Sequence, residues 1–306
     1  MPELTSIWPA VLGAAGCGDM PSANLYIPVM RTAALRSWAT AATALALAAC
    51  SATEGPLLFH TQASSADAGD QPDSAAVVRA GMSLQYQITG ELDTSVDAQL
   101  FVVDLFDASE RDVRALRAAG RVVVAYVSVG SFEPWRADAA TFPKSGVGDS
   151  LAGYPDESWL DIRDPEVRAV IAARFDRARD KGFDGVFAST LGGYKQQSGF
   201  ALTRTDELDY ARFLSDAAKQ RGLSAGLSGD FELGDDVADL FDWALAIDCI
   251  GRGYCNELAA FMAQGKPVFD METTGERASV CMQAAAFGIP TTIKRPAYDV
   301  WREPCT

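Results

Sequence analysis

Histidine is almost missing from this chain: His60 is the only one in 306 residues. A Ser-His-Asp triad or a histidine-built metal site would have to draw on that single ring. It lies in the stretch Ser51 to Ala76, which is rich in Ser, Ala, Asp and Gln and has almost no bulky apolar residue after Phe59. Such a composition buries too little surface to offset ordering entropy, so it reads as a tether and sets both chemistries aside.

Positive charge is scarce as well. Lys and Arg number 26 against 41 Asp and Glu, a net charge of -15. Nucleic acid demands a basic face, so it is excluded as a partner; a cationic ligand is compatible, as is a secreted protein kept soluble by its acidity. The apolar run Trp38 to Ala49 has 12 residues, short of the roughly 20 that a membrane-spanning helix requires. No CxxC pair and no second histidine support a zinc site. Gly251-Arg252-Gly253 lacks the third glycine of a dinucleotide fingerprint and follows the sixth strand. Asp230, Glu232, Asp235 and Asp236 lack the spacing and closing Glu of a calcium loop, and read as a solvated helix start where acids suit the dipole. No cofactor and no metal are expected.

The N-terminal third carries an address. Arg31 and Arg36 precede the apolar run, and Cys50 follows it, the layout of a secretory signal. Leu47-Ala48-Ala49-Cys50 resembles a bacterial lipobox, whose cysteine is lipidated and becomes the mature N-terminus. Met30 is then the true start; the alternative is an ordinary cleaved signal with an incidental cysteine. The expected organisation is an extension and signal over 1–49, a flexible tether over 50–79 and one large domain over 80–306.

That domain alternates strands and helices. Strands are predicted over 83–89, 100–106, 121–129, 185–190, 224–228, 243–248, 267–272 and 289–294. Arg121 to Val129 is the strongest, because its β-branched residues run on without alternation, as when both faces are covered. Helices are expected at 110–119, 164–181, 205–221, near Asp236, at 255–263 and at 276–286. Eight strands with helices between most of them make an α/β fold with a parallel sheet, and a single (β/α)8 barrel fits that count.

Several linked segments resemble glycoside hydrolase family 114, the endo-α-1,4-polygalactosaminidase-like barrels. They are Val102 to Asp107; Tyr126 to Ser131 with Glu133, Trp135, Arg136 and Asp138; Glu157 to Arg163; Lys181 to Val186; and Phe241 to Leu245 with Cys249 and Cys255 beyond. The resemblance implies a TIM-like barrel acting on α-1,4-galactosamine-type polysaccharide. It implies an Asp acid/base in a Glu-Pro-Asp-Asn stretch at the fourth strand end, and a Glu nucleophile in an Asn-Glu-Gln-Cys stretch at the sixth. This chain reads Phe187-Ala188-Ser189-Thr190 and Ala246-Ile247-Asp248-Cys249 there, so Ser189 and Ile247 hold the two catalytic positions. Gly192 stands where members carry Asp, and Ser228-Gly229 where they carry Lys-Asn.

Glycosidic cleavage needs one carboxylic acid and a second carboxylate. Serine is too weak an acid and isoleucine cannot act. Other carboxylates fall near strand ends: Asp104, Glu133, Asp248, Asp270 and Glu272. A relocated pair such as Asp248 with Glu272 is one reading; strand-end hydrogen bonding, or pairing with Arg136, Arg252 or Lys294, is the other. Trp135 and Tyr194 could stack on sugar rings or simply pack. In an exported protein, Cys249 with Cys255 and Cys281 with Cys305 are the expected disulfides.

The leading expectation is a membrane-anchored exported monomer whose catalytic machinery has decayed, a pseudoenzyme that binds an amino-sugar polysaccharide or a protein partner. The alternatives are an active endo-glycosidase with a relocated pair and a structural envelope lipoprotein.

Overall fold

The structure, a computed structural model, describes residues 77–305. The signal, Cys50 and most of the tether lie outside the described residues.

In chain order the elements are β1 (Leu84–Gln87), β2 (Leu100–Asp104), α1 (Glu110–Ala118), β3 (Val122–Ser128), β4 (Ser131–Phe132), β5 (Val147–Leu151), β6 (Tyr154–Leu160), α2 (Pro165–Asp180) and β7 (Gly185–Ser189). Then follow α3 (Arg204–Lys219), β8 (Ser224–Leu227), α4 (Asp235–Ala238), β9 (Trp243–Ile247), α5 (Cys249–Arg252), α6 (Ala259–Ala263), β10 (Val268–Glu272), α7 (Arg277–Phe287), β11 (Thr291–Lys294) and β12 (Arg302–Pro304). The eight expected strands are all present.

The principal sheet runs β1-β2-β3-β7-β8-β9-β10-β11-β12. Its first eight members are parallel, and β12 returns antiparallel to β11, pairing Thr292 with Pro304 and Lys294 with Arg302. Across the remaining gap Arg302 donates to the Leu84 carbonyl at 2.6 Å and Gln85 to the Val300 carbonyl at 2.9 Å. The result is a nearly closed barrel of the (β/α)8 type.

Side-chain alternation sorts the strands into two cores. Tyr86, Val102, Val124, Phe187, Trp243, Leu245, Phe269 and Met271 fill the interior. Their neighbours Val103, Val123, Val186, Ala188, Ala244 and Ala246 pack outward against Ile171, Phe175 and Leu214 of the helices. Burial on both faces is why these strands read as continuous apolar runs. Trp243 stacks on Phe187 at 5.6 Å and reaches over β8, where a Cβ on Gly226 would sit 2.2 Å from its ring. Glycine is required there so that one indole can plug the barrel floor.

Caps follow the sequence. Asp164 accepts from the Glu166 amide with Pro165 in the first turn of α2, and Thr203 forms a capping box with Asp206 at α3. Two features were not anticipated. A three-stranded antiparallel sheet, β4-β6-β5, is inserted between β3 and α2. Its strands are half polar and partly exposed, so they carry no buried-strand signal. The other is β12, whose Pro304 is tolerated because the strand lies at the sheet edge.

Candidate functional site

The C-terminal strand ends form the barrel mouth, and strand parity decides which side chains reach it. Ser189 shares the inward face of Phe187, and Ile247 that of Leu245 and Trp243, so both point into the interior at the ends of β7 and β9. Ile247 is 8% exposed, and its backbone N–H and C=O are both bound by the Tyr254 hydroxyl.

The chain leaves β7, β8 and β9 through left-handed residues: Thr190, Asp230 and Asp248 have φ of 65°, 52° and 60°. None is glycine, and strain of this kind collects at functional strand ends. Thr190 is held by contact with Gly130, whose missing Cβ would lie 1.9 Å from the Thr190 carbonyl oxygen. From Thr190 a chain of hydroxyls leads to the inserted sheet. The Thr190 and Ser128 hydroxyls lie 2.9 Å apart, Ser128 and Ser131 share a 2.6 Å bond, and Ser131 donates to Glu157 Oε2 at 2.5 Å. Glu157 belongs to β6, so the inserted sheet brings a carboxyl over the mouth that strand-end reasoning alone misses. Burial, reinforced by Glu133 and Asp156, raises its pKa to about 7, while the Ser131 hydrogen bond and Arg136 pull the other way.

The carboxylates expected to line the cleft are engaged elsewhere. Asp104 receives both Arg136 terminal nitrogens at 2.9 and 2.7 Å, together with the Phe106 and Asp107 amides. Glu133 takes the same guanidinium at 2.8 Å. Asp248 is tied to the Thr273 hydroxyl at 2.9 Å and to its amide, and Arg252 lies 3.5 Å away.

Asp270 and Glu272 are not cleft residues, because they alternate with the interior Phe269 and Met271 and therefore face outward. Asp270 accepts from the Cys249 amide at 3.2 Å and Glu272 from the Ile250 amide at 2.7 Å, both beneath α5. Their atoms and the Cys249 sulfur lie within 4.8 Å of one another, but that sulfur is committed to a disulfide and offers no thiolate. Lys294 does not bridge to an acid across the cleft. It donates to the Asp299 carbonyl at 2.6 Å, and burial lowers its pKa to about 7.

Trp135 is 46% exposed and open to contact. Tyr194 is not a free stacking platform, since its hydroxyl bonds Glu232 at 3.1 Å beside Lys195. That corner holds a second acidic group. Lys195 pairs with Glu232 and, at 2.7 Å, with Asp230. Glu207 accepts from the Gly192 amide at 3.3 Å, and burial together with Asp230 raises its pKa to about 9. Asp230 is buried, not solvated as expected, and its carboxyl is likewise raised by burial. One proton shared between Glu207 and Asp230 satisfies the oxygens that otherwise lack donors.

Both expected disulfides are present, Cys249–Cys255 with Cα atoms 4.8 Å apart and Cys281–Cys305 at 5.1 Å.

Comparison with known proteins places this geometry. Aspergillus fumigatus Ega3, solved in complex with galactosamine, is 32% identical and superposes with a TM-score of 0.69 over 78% of this chain and 100% of its own. The glycoside hydrolase domain of PelA from Pseudomonas aeruginosa, at 19% identity, shares the fold with a TM-score of 0.60 over 73% of this chain and 98% of its own. No curated protein sequence matches. The sequence profile of Glycoside-hydrolase family GH114 matches residues 64–306, and the chain belongs to that family.

Proposed function

We propose that this protein is an exported, lipid-anchored monomer whose barrel mouth binds an amino-sugar polysaccharide and whose inherited hydrolysis is severely impaired. The observation that carries this reading is the pair of inward-facing residues at the ends of β7 and β9, a hydroxyl at Ser189 and a hydrocarbon at Ile247. General acid catalysis alone is worth roughly 100- to 10,000-fold, so a site with no carboxyl at either inherited position loses the two-carboxylate route that those positions served. A relocated pair of Asp248 and Glu272 finds no support, because the first is clamped by Thr273 and the second faces α5. The ligand class is supported by the galactosamine in the Ega3 complex and by the net charge of -15. Export is supported by the signal-like run before Cys50 and by the two disulfides.

The test is reducing-end release from galactosamine polymers by the wild type and by the Ser189→Asp, Ile247→Glu double variant. The expected result is negligible release by the wild type and measurable release by the variant. Wild-type cleavage at the rate of an active relative overturns the reading.

A further inference from the structure

We propose that Glu157 is the specificity-determining residue of the mouth, anchoring the ammonium group of a bound amino sugar and so selecting free amines over N-acetylated rings. This rests on the reading above that the mouth holds a saccharide.

The argument starts from the two carboxylate oxygens. Oε2 is fixed by Ser131 at 2.5 Å, which orients the group. Oε1 meets no protein donor among the described residues and is not sealed from solvent, so it is left available to a ligand. The neighbouring acids offer nothing comparable. Asp104 and Asp248 have both oxygens engaged. Glu133 keeps Oε2 without a hydrogen bond, but that atom is buried 3.9 Å from the Arg174 guanidinium and closed to a ligand.

The surroundings suit a cation. Tyr126 and Tyr154 lie close enough for Glu157 to raise their hydroxyl pKa values. Tyr126 and Tyr298 both stand edge-on to Tyr86, at 6.2 and 5.5 Å, in an aromatic cup beneath the mouth. Aromatic faces and one ionised oxygen together favour an ammonium. An acetamido group brings no charge and offers that oxygen at most one neutral N–H donor, with the added bulk of its acetyl group. The other charged groups acting on the cup are Glu133, Arg136 and Asp156 around Glu157, and Arg252 beside Tyr154. Because burial holds the carboxyl near 7, selection grows as pH rises through that value and fades again once the sugar's amine loses its own proton, so the preference peaks close to neutral pH.

The experiment is calorimetric titration of the intact chain with two galactosamine oligomers of equal length, one deacetylated and one fully N-acetylated. At pH 7 the wild type is expected to prefer the deacetylated oligomer by roughly 10-fold or more, the scale of one charge-assisted hydrogen bond. Glu157→Gln should bring the ratio close to one. Ser131→Ala keeps the carboxylate but loses the bond that favours its ionised form, so the pH at which preference appears should move up. A Glu157→Gln protein that keeps the full preference, or a Ser131→Ala midpoint that does not move, overturns the assignment while leaving saccharide binding intact. Failure of the wild type to bind either oligomer overturns the saccharide reading itself, and this assignment with it.

Discussion

Asp104 and Arg136 meet through two parallel hydrogen bonds of 2.9 and 2.7 Å, with both side chains buried. The same guanidinium takes Glu133 at 2.8 Å and lies 4.9 Å over the Phe106 ring, so one cation holds two carboxylates at the rim. Arg136→Leu would leave Asp104 buried without its paired counter-charge and Glu133 with only the Arg174 guanidinium, 3.9 Å away. Breaking such a group from one side costs about 3 to 5 kcal/mol, and a chemical denaturation midpoint should fall accordingly. A variant as stable as the wild type would mean that water replaces the arginine at this site.

The Glu207 and Asp230 pair makes stability depend on pH. The Glu207 carboxyl is raised from 4.5 to about 9 by burial and Asp230. A raised acid is neutral in the fold where the unfolded chain has already ionised, so its cost is absent below 4.5 and grows until pH passes 9. Glu207→Gln keeps an acceptor for the Gly192 amide and can donate to Asp230. It should stabilise the protein at pH 9 by ~1 kcal/mol or more and change little at pH 4, read as the difference in thermal midpoint between the two conditions.

The barrel was legible because its strands are buried on both faces. Val122–Ser128 and Gly185–Ser189 are runs of apolar residues of strand length, and helices such as Pro165–Asp180 are bracketed by Asp164 and Gly182. The mouth was less legible, for reasons of direction and distance. Asp270 and Glu272 sit at a strand end, but a one-residue offset turns them outward. Glu157 belongs to a phrase that reads as scaffold, and Ser131, which orients it, is 26 residues away. Asp230 lies in an acidic run that suggests solvent, yet its left-handed backbone turns it inward toward Glu207. Sequence spacing specifies which face of a regular element a residue occupies; it does not specify where a side chain goes after the strand has ended.

Gly130 is a point where added volume cannot be absorbed. A Cβ there would lie 1.9 Å from the Thr190 carbonyl, a backbone atom that cannot swing aside as a side chain would. Gly130→Ala should therefore displace Thr190 and break its 2.9 Å bond to Ser128, at a cost of about 2 kcal/mol or more. The expected readouts are a lower unfolding midpoint and weaker saccharide binding together. Loss of stability with unchanged binding would separate the Thr190 turn from the ligand.

The two disulfides should differ in what they hold. Cys281–Cys305 spans 24 residues and ties α7 to the chain just past β12, where Arg277 and Glu303 add a salt bridge at 2.6 Å. Cys249–Cys255 spans only 6 residues around α5. Loop-closure entropy assigns about 3 kcal/mol to the longer loop and about 2 kcal/mol to the shorter. Because β12 covers the gap between β11 and β1, opening the long loop should also loosen the seam. In Cys281→Ser with Cys305→Ser, hydrogen exchange should accelerate at Thr292, Lys294 and Arg302, whose backbones pair across that seam. The amides of β3 and β7, on the far side of the sheet order, should keep their protection. Acceleration spread evenly over all strands would show that the bond stabilises the barrel as a whole instead of fastening its last strand.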